Sequence, residues 1–297
     1  MSNTAKKNTK RRLWLTIPLG LGLFLMFLFC LNLLLQTFWA HRSPFFAPNY
    51  PQMDLTETLE QPMLTDEDYR VVFRQSGLAR PAVDDLLALG AEGKSQILET
   101  QDGFFRPSSA DCVELIGGRF TCEDRSLDAD GAPTYSVPLA PLKPGDLIVS
   151  FSTHTFGWRH GHAGLVVDPA QGITLEAVVM GSDSGQMDAQ HWRTYANFLV
   201  LRPKGATDAL RQQVAEFGLQ HLDGIHYGLL SGIFGKKAPN PEGDLSAQCA
   251  YLPWYAWQAF GLDLDSDGGK IVTVADLANS PLLELVQVYG IDPDRMP

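Results

Sequence analysis

Cysteine is scarce in this chain, and basic residues are scarce beyond its first twelve positions. Four cysteines among 297 residues are too few for the disulfide framework that holds small secreted domains together. Beyond residue 12 the chain has 18 Lys and Arg (23 less five) against 34 Asp and Glu. So acidic a surface excludes nucleic acid as a partner and gains nothing from anionic lipid headgroups. Internal repeats are also missing, which excludes solenoid architectures.

Charge of either sign is missing from residues 13–40. As a helix this run is about 42 Å long, more than the roughly 30 Å of a bilayer core requires. Five basic residues precede it and only Arg42 follows closely, so the positive-inside rule places residues 1–12 in the cytoplasm. The sequence therefore predicts a single-pass signal-anchor with the rest of the chain outside. A cleaved signal peptide is the alternative, although "QTFWAHRSPF" offers no small-residue cleavage site.

Two segments separate the predicted anchor from the best-defined region. Residues 41–63 are rich in proline and polar residues and indicate a stalk. Residues 64–141 predict short helices, the first capped by Thr65, followed by a two-stranded ribbon in "CVELIGGRFTCE" that turns at two glycines. This ribbon brings Cys112 and Cys122 close together, as a disulfide or as two free thiols.

Residues 142–297 begin with a Pro-Gly-Asp turn, an apolar strand and the hairpin "GHAGLVVDPAQGITLEAVVMG". If Val167 pairs with Ile173, paired residue numbers sum to 340. His162 and Glu176 then emerge on one face as diagonal neighbours, within reach of each other. The other face is apolar and carries Leu165, Val167, Ile173 and Leu175.

Cys249 lies at the start of a helix in "AQCAYLPWYAWQAFG" whose aromatic residues suit a core. A helix N-terminus favours thiolate over thiol and offers backbone N–H groups to an oxyanion. With His162 as base and Glu176 as the group that orients it, the three residues have the chemistry of a thiol nucleophile site. The alternatives are a cysteine that only packs and a histidine that only satisfies a core hydrogen bond.

Metal and calcium sites are the competing interpretations of two motifs. "HGH" puts His160 and His162 on one strand face near Glu176, but the further carboxylate that a metal barrel would supply is missing. We therefore predict no metal, and a loop role for His160. "DLDSDGG" resembles the start of a calcium loop, yet its twelfth position is Val274 rather than Glu, which favours a polar turn.

The ordered set "PGD…GHAGLVVD…TLEA…QCAYLPWYAWQAFG" resembles the circularly permuted branch of the papain-like, NlpC-type cysteine hydrolases, over about residues 142–286. The resemblance implies an α+β fold, an antiparallel sheet packed on the nucleophile helix. It implies that Cys249 is the nucleophile, His162 the base and Glu176 the orienting acid. It matches Tyr227 in "GIHYG" to an aromatic residue that lines the site, with a core tyrosine as the alternative.

The same family relation implies the function. Its distant relatives include bacterial cell-wall endopeptidases and amidases, so the expected partner is a peptidoglycan peptide whose amide bond is cleaved without a cofactor. The alternatives are a hydrolase or acyltransferase acting on lipid esters or amides, as in lecithin retinol acyltransferases, and a non-catalytic binding module. Two departures from the family pattern support the binding module: Ala250 replaces a common serine, and Pro253 falls in the first turn of the helix.

Overall fold

The computed structural model describes residues 3–40, 45–116, 121–155, 158–228, 237 and 246–296. Its first element, α1 (Asn3–Ala40), contains one stretch, Ile17–Leu35, long and apolar enough to cross a membrane, with a mean hydropathy of 2.3. Nearly all side chains of this stretch are exposed, so α1 is not a core helix. By length and composition it serves as a membrane span or as a signal sequence.

The rest of the described chain is mixed helix and sheet, which confirms that part of the expected fold class. The further helices are α2 (Thr56–Glu60), α3 (Asp66–Ser76), α4 (Arg80–Leu87), α5 (Ala91–Phe105), α6 (Asp208–His221), α7 (Tyr251–Gln258) and α8 (Val274–Ala278). The strands are β1 (Ser109–Ile116), β2 (Thr121–Leu127), β3 (Leu147–Ser150), β4 (Thr153–Thr155), β5 (His162–Asp168), β6 (Ile173–Glu176), β7 (Gly185–Asp188), β8 (Phe198–Pro203), β9 (His226–Tyr227), β10 (Ser246–Ala247) and β11 (Leu283–Tyr289).

Local sequence signals explain where several helices begin. Thr65 caps α3, as expected: its hydroxyl accepts from the backbone N–H of Asp68, and the Asp68 carboxylate accepts from the N–H of Thr65. Thr207 caps α6 through its hydroxyl alone, which accepts the backbone N–H of Leu210 at 3.2 Å. Gly77 ends α3 at a φ of 74°, and any side chain there would collide with the carbonyl of Val288.

Six strands form the central antiparallel sheet, in the order β11-β8-β3-β5-β6-β7. The β5–β6 hairpin pairs Gly164 with Glu176, as the sum of 340 predicts. The predicted Val167–Ile173 pair is wrong, because a bulge after Val166 leaves Asp168 opposite Ile173.

The two faces of this sheet belong to two different core layers. Leu165 and Leu175 pack with Trp254 and Trp257 of α7 in one layer. Val166 packs on the opposite face with Trp192 in a second layer that also holds the N-terminal helices. The sheet is therefore covered on both sides, and its central strands β3 and β5 are buried almost throughout.

The Pro-Gly-Asp turn before β3 is a buried charge clamp. Asp146 accepts a hydrogen bond from the backbone N–H of Lys143 at 2.8 Å and pairs with Arg202 at 2.7 Å and with Arg211 at 3.4 Å. Arg202 lies in β8 and Arg211 in α6, so one carboxylate ties two further elements to the start of β3. This clamp lies at the end of the sheet away from His162.

Most of the segment predicted as a stalk packs against the domain. Leu55 and Leu59 are buried in the second core layer, and the short helix α2 lies between residues 56 and 60. Phe46 donates its backbone N–H to the carbonyl of Gly290 at 2.8 Å, and the Phe45 ring lies 6.1 Å from that of Tyr289. The composition of this segment hides these apolar anchors among proline and polar residues.

The predicted ribbon forms as β1 and β2, and β4 adds a third strand. Cys112 and Cys122 are joined in a disulfide, which settles the alternative left open by the sequence. The predicted turn at Gly117 and Gly118 lies outside the described residues.

Candidate active site

His162 and Glu176 meet at one end of the sheet. His162 begins β5 and Glu176 ends β6, and the imidazole Nε2 lies 2.6 Å from Glu176 Oε2. Both side chains are buried. Burial opposes ionisation of Glu176, but hydrogen bonds from His162 and His191 hold its pKa far below the usual range. The carboxylate is thus ionised and holds the ring in one orientation.

Two further side chains fix the Glu176 carboxylate. Its other oxygen, Oε1, accepts from the Thr174 hydroxyl at 2.5 Å and from the indole N–H of Trp192 at 3.0 Å. Gly164 lies opposite Glu176, and a Cβ there would come within 3.0 Å of both the Glu176 and Trp192 side chains. The absence of a side chain at Gly164 therefore makes room for this arrangement.

Cys249 reaches the imidazole from the other end of the sequence. It is a free, buried cysteine whose thiol donates to Gln248 Oε1 at 3.6 Å, and it lies close enough to His162 to raise the pKa of the imidazole. Because Nε2 is taken by Glu176, Nδ1 is the ring nitrogen left for the thiol. Burial lowers the pKa of His162, but the contacts with Cys249 and Glu176 outweigh it and raise this pKa to about 10.

The chain around Cys249 prepares a donor for a substrate oxygen. Helix α7 begins at Tyr251, so Cys249 precedes it by two residues and Pro253 falls in the first turn, where its missing N–H would have no helical acceptor. Gln248 Oε1 accepts the N–H of Ala250 at 2.8 Å. The N–H of Cys249 has no acceptor among the described residues.

Tyr227 lies close to this cysteine. Its strand β9 runs parallel to β10, pairing Tyr227 with Ala247, two residues before Cys249. Burial and the nearby Cys249 raise the pKa of the phenol. The structure thus brings together the four residues that the sequence singled out, Cys249, His162, Glu176 and Tyr227.

His160 lies outside this group. Its Nε2 bonds the Thr155 hydroxyl and its Nδ1 the carbonyl of Gly161, both at 2.9 Å. Burial lowers its pKa. The described histidines and carboxylates near the site offer a different candidate metal set: His162, Glu176 and His191, whose ligand atoms lie within 4.8 Å of one another.

Sequence reasoning missed a layer of residues behind the imidazole. Trp192 stacks on His162 with ring centroids 5.1 Å apart and planes 12° from parallel. His191 Nε2 lies 3.4 Å from Glu176 Oε2, and Tyr195 meets His162 edge-on at 6.4 Å. All three belong to or border the short 3-10 segment Ala189–Thr194. No periodicity marks such a segment, so the sequence holds no signal for it.

The carboxylates of the "DLDSDGG" loop contact other groups of the protein. Asp263 accepts from the indole N–H of Trp254 at 2.7 Å, Asp265 pairs with the ammonium of Lys237, and Asp267 accepts the N–H of Gly269 at 2.6 Å. These contacts are typical of a polar turn, and the carboxylates of Asp265 and Asp267 also lie within 4.8 Å of that of Asp276, as a cation site requires.

Comparison with known proteins adds little to this geometry. No family model and no curated protein matches the chain. A solved structure, that of the DUF1105 metalloprotein yiiX from Escherichia coli O157:H7, aligns with 49% of this chain and 97% of its own at 16% identity and a TM-score of 0.39. A similarity of this size carries no argument about fold or function.

Proposed function

We propose that this chain is a membrane-anchored extracytoplasmic cysteine hydrolase that cleaves an amide bond, with Cys249 as nucleophile. The observation that carries the proposal is the buried chain of contacts from Cys249 through His162 to Glu176. A free cysteine, a base within hydrogen-bond reach and a carboxylate that orients the base are the parts that nucleophilic catalysis requires. A cysteine that only packs would need neither partner.

In the proposed reaction, Cys249 Sγ attacks the carbonyl carbon after His162 Nδ1 has taken the thiol proton. The carbonyl oxygen becomes an oxyanion, which the backbone N–H of Cys249 stabilises. When the C–N bond breaks, His162 gives its proton to the leaving amine. Water, deprotonated by His162, then attacks the thioester and releases the acid. Glu176 keeps the imidazolium in place throughout.

The fold proposed for this enzyme is the permuted papain-like one, in which the histidine strand precedes the cysteine helix. The antiparallel sheet with α7 packed on the face of β5 supports it. A cell-wall peptide is the proposed substrate class, in keeping with a site outside the cytoplasm. Lipid ester or amide chemistry uses the same groups, so the substrate test must include both.

Site-resolved alkylation of the full chain tests the nucleophile. At pH 6–7 an unperturbed thiol of pKa about 8.5 is mostly protonated, so Cys249 should react with iodoacetamide faster than glutathione does. His162→Ala should slow this reaction about tenfold, whereas the matched His160→Ala should leave it within about twofold. The proposal would be refuted if Cys249 reacts no faster than glutathione and if His162→Ala, with unchanged circular dichroism, does not change its rate of alkylation.

Substrate class follows from a second assay on the same protein. Purified peptidoglycan fragments and a short-chain acyl ester are each incubated with the wild type and with Cys249→Ala. Release of new amine termini from the fragments by the wild type alone supports the cell-wall peptide. Turnover of the ester alone supports the lipid alternative, and turnover of neither by an alkylation-competent protein supports the binding module.

A further inference from the structure

An exposed apolar loop borders the candidate site. Val178, Val179 and Met180 are consecutive and 51%, 45% and 64% exposed. The loop leaves β6 directly after Glu176, and two residues beyond Met180 the carbonyl of Ser182 accepts the backbone N–H of Tyr227 at 3.1 Å. It therefore runs along the site from the carboxylate to the tyrosine beside Cys249.

Trp158 supplies a second exposed apolar side chain at the same end of the sheet. It is 64% exposed and stands just ahead of β5, with its ring 5.7 Å from that of His160. Together, Trp158 and residues 178–180 form what we call the apolar rim. Large apolar side chains that stay exposed in a run, as residues 178–180 do, mark an interaction surface.

The N-terminal segment joins the domain at this same end. Strand pairing places Tyr289 of β11 opposite Phe198 of β8, and Ser150 of β3 opposite His162 of β5. Because Val149 pairs with Leu199, the residues Ser150 and Phe198 that follow and precede them also face each other. Tyr289, Phe198, Ser150 and His162 therefore lie in one row across the sheet. Phe45 and Phe46 attach to Tyr289 and Gly290 at one end of that row. Three strand spacings, about 14 Å, separate β11 from His162 in β5.

Chain length limits how far this end can be from α1. Five residue steps separate Ala40 from Phe45, so the end of α1 and the attachment point lie within about 18 Å of each other. If α1 spans a bilayer, as proposed above, the row that carries His162 is held next to the membrane surface. The opposite end of the sheet, where Leu283 pairs with Pro203, is held away from it.

Charge decides which kind of lipid surface suits the apolar rim. The chain beyond residue 12 is strongly acidic, and Asp183 follows the rim closely. Anionic headgroups would repel it, so contact must come from apolar insertion. We infer that the apolar rim docks into the outer leaflet of the anchoring bilayer, through neutral or zwitterionic lipid. This inference rests on the anchored topology of the proposed function and not on its chemistry.

Brominated lipids test the docking. The full chain is reconstituted in phosphatidylcholine vesicles with and without lipid brominated in the upper acyl chain. The emission of Trp158 is obtained as the difference between the wild type and Trp158→Phe, which cancels the other tryptophans. Bromine should quench this difference at least twofold, and the quenching should not increase when part of the lipid is replaced by phosphatidylglycerol.

The matched control moves the reporter to the other end of the sheet. Leu282, 40% exposed and next to β11, becomes the reporter in Leu282→Trp combined with Trp158→Phe, and its emission should not be quenched. Val179→Asp should abolish Trp158 quenching while Cys249 alkylation stays unchanged. Unquenched Trp158, equal quenching of both reporters, or quenching only with phosphatidylglycerol would overturn the docking.

Failure of the docking and failure of the proposed chemistry are separable. Alkylation of Cys249 reports the chemistry, and Trp158 quenching reports the docking. Intact mass shows whether α1 is retained in the mature chain, and a chain without α1 would overturn the docking while leaving the alkylation result valid.

Discussion

At the residue scale, the two carboxylate oxygens of Glu176 have different partners. Oε2 faces the imidazoles of His162 and His191, whereas Oε1 accepts from Thr174 and Trp192, which fix the carboxylate itself. An ionised carboxylate buried this deeply persists because His162, Thr174 and Trp192 donate hydrogen bonds to it. Orientation of the base thus depends on side chains that never touch Cys249.

Glu176→Gln separates charge from position. The amide keeps a hydrogen-bonding group beside His162 but removes the charge that favours the imidazolium. We expect alkylation of Cys249 at pH 6–7 to fall by less than in His162→Ala, about threefold against about tenfold. Glu216→Gln, on α6 and away from the site, is the control and should change nothing. A loss in Glu176→Gln equal to that of His162→Ala would show that the carboxylate does more than tune charge.

The coupling of His162 and Glu176 also predicts how stability depends on pH. The raised pKa of His162, about 10, contributes stability that is complete below its unfolded value near 6.5 and is lost as pH rises towards 10. The lowered pKa of Glu176 contributes stability above about pH 4.5 that is lost in acid. His162→Gln should therefore lower the melting temperature more at pH 6 than at pH 9.5. Thermal scans in detergent measure this, and a pH-independent cost would contradict it.

At the element scale, the β1–β2 ribbon is an addition to the central sheet that a covalent link secures. Cys122 is buried and pairs with His154 of β4, while Cys112 lies on the outer strand. Val113 of the outer strand β1 is exposed. A short ribbon of this kind has little stability by itself, and the disulfide stabilises it by restricting the conformations of the unfolded chain.

Removing this disulfide should destabilise the domain. Chain entropy for a loop of this length gives about 3 kcal/mol, so Cys112→Ser with Cys122→Ser, or a reductant, should lower the melting temperature by several degrees. An unreduced tryptic digest should contain the crosslinked peptides. Cys30→Ser, which removes a free thiol, is the control and should leave the melting temperature unchanged. Two free thiols at positions 112 and 122 would contradict the link.

At the scale of the whole molecule, one apolar helix precedes a domain whose N-terminal segment is packed rather than extended. Phe46 and Leu55 bind this segment to the domain, and Phe46 does so at the end of the sheet that carries His162. A retained anchor would therefore set the orientation of the site as well as its location. Composition by itself had indicated a stalk, which would leave the orientation of the domain relative to the anchor free.

Topology provides the prediction at this scale. A reporter fused after Pro297 should be active outside the cytoplasm, and a tag placed before Ser2 should resist external protease in intact cells. Replacing Lys6, Lys7, Lys10, Arg11 and Arg12 by glutamine should weaken this orientation. A tag that is cleaved in intact wild-type cells would contradict it.

The sequence by itself determined the features that depend on near neighbours. The apolar helix needs only composition, the Thr65 and Thr207 caps need three residues, and the pairing of Gly164 with Glu176 needs one short hairpin. These were enough to place His162 beside Glu176 and Cys249 at the start of a helix, and the resemblance added Tyr227. Even within the hairpin, the sequence did not predict the bulge at Val167, because no local signal marks it.

Only the tertiary structure decided the contacts that close over long stretches of chain. Cys249 and His162 are 87 residues apart in the chain, and Trp192 and His191 reach Glu176 from a segment without periodicity. The packing of residues 45–63 on the domain was equally hidden. Such contacts follow from how whole core layers fit together, and no short pattern encodes that fit.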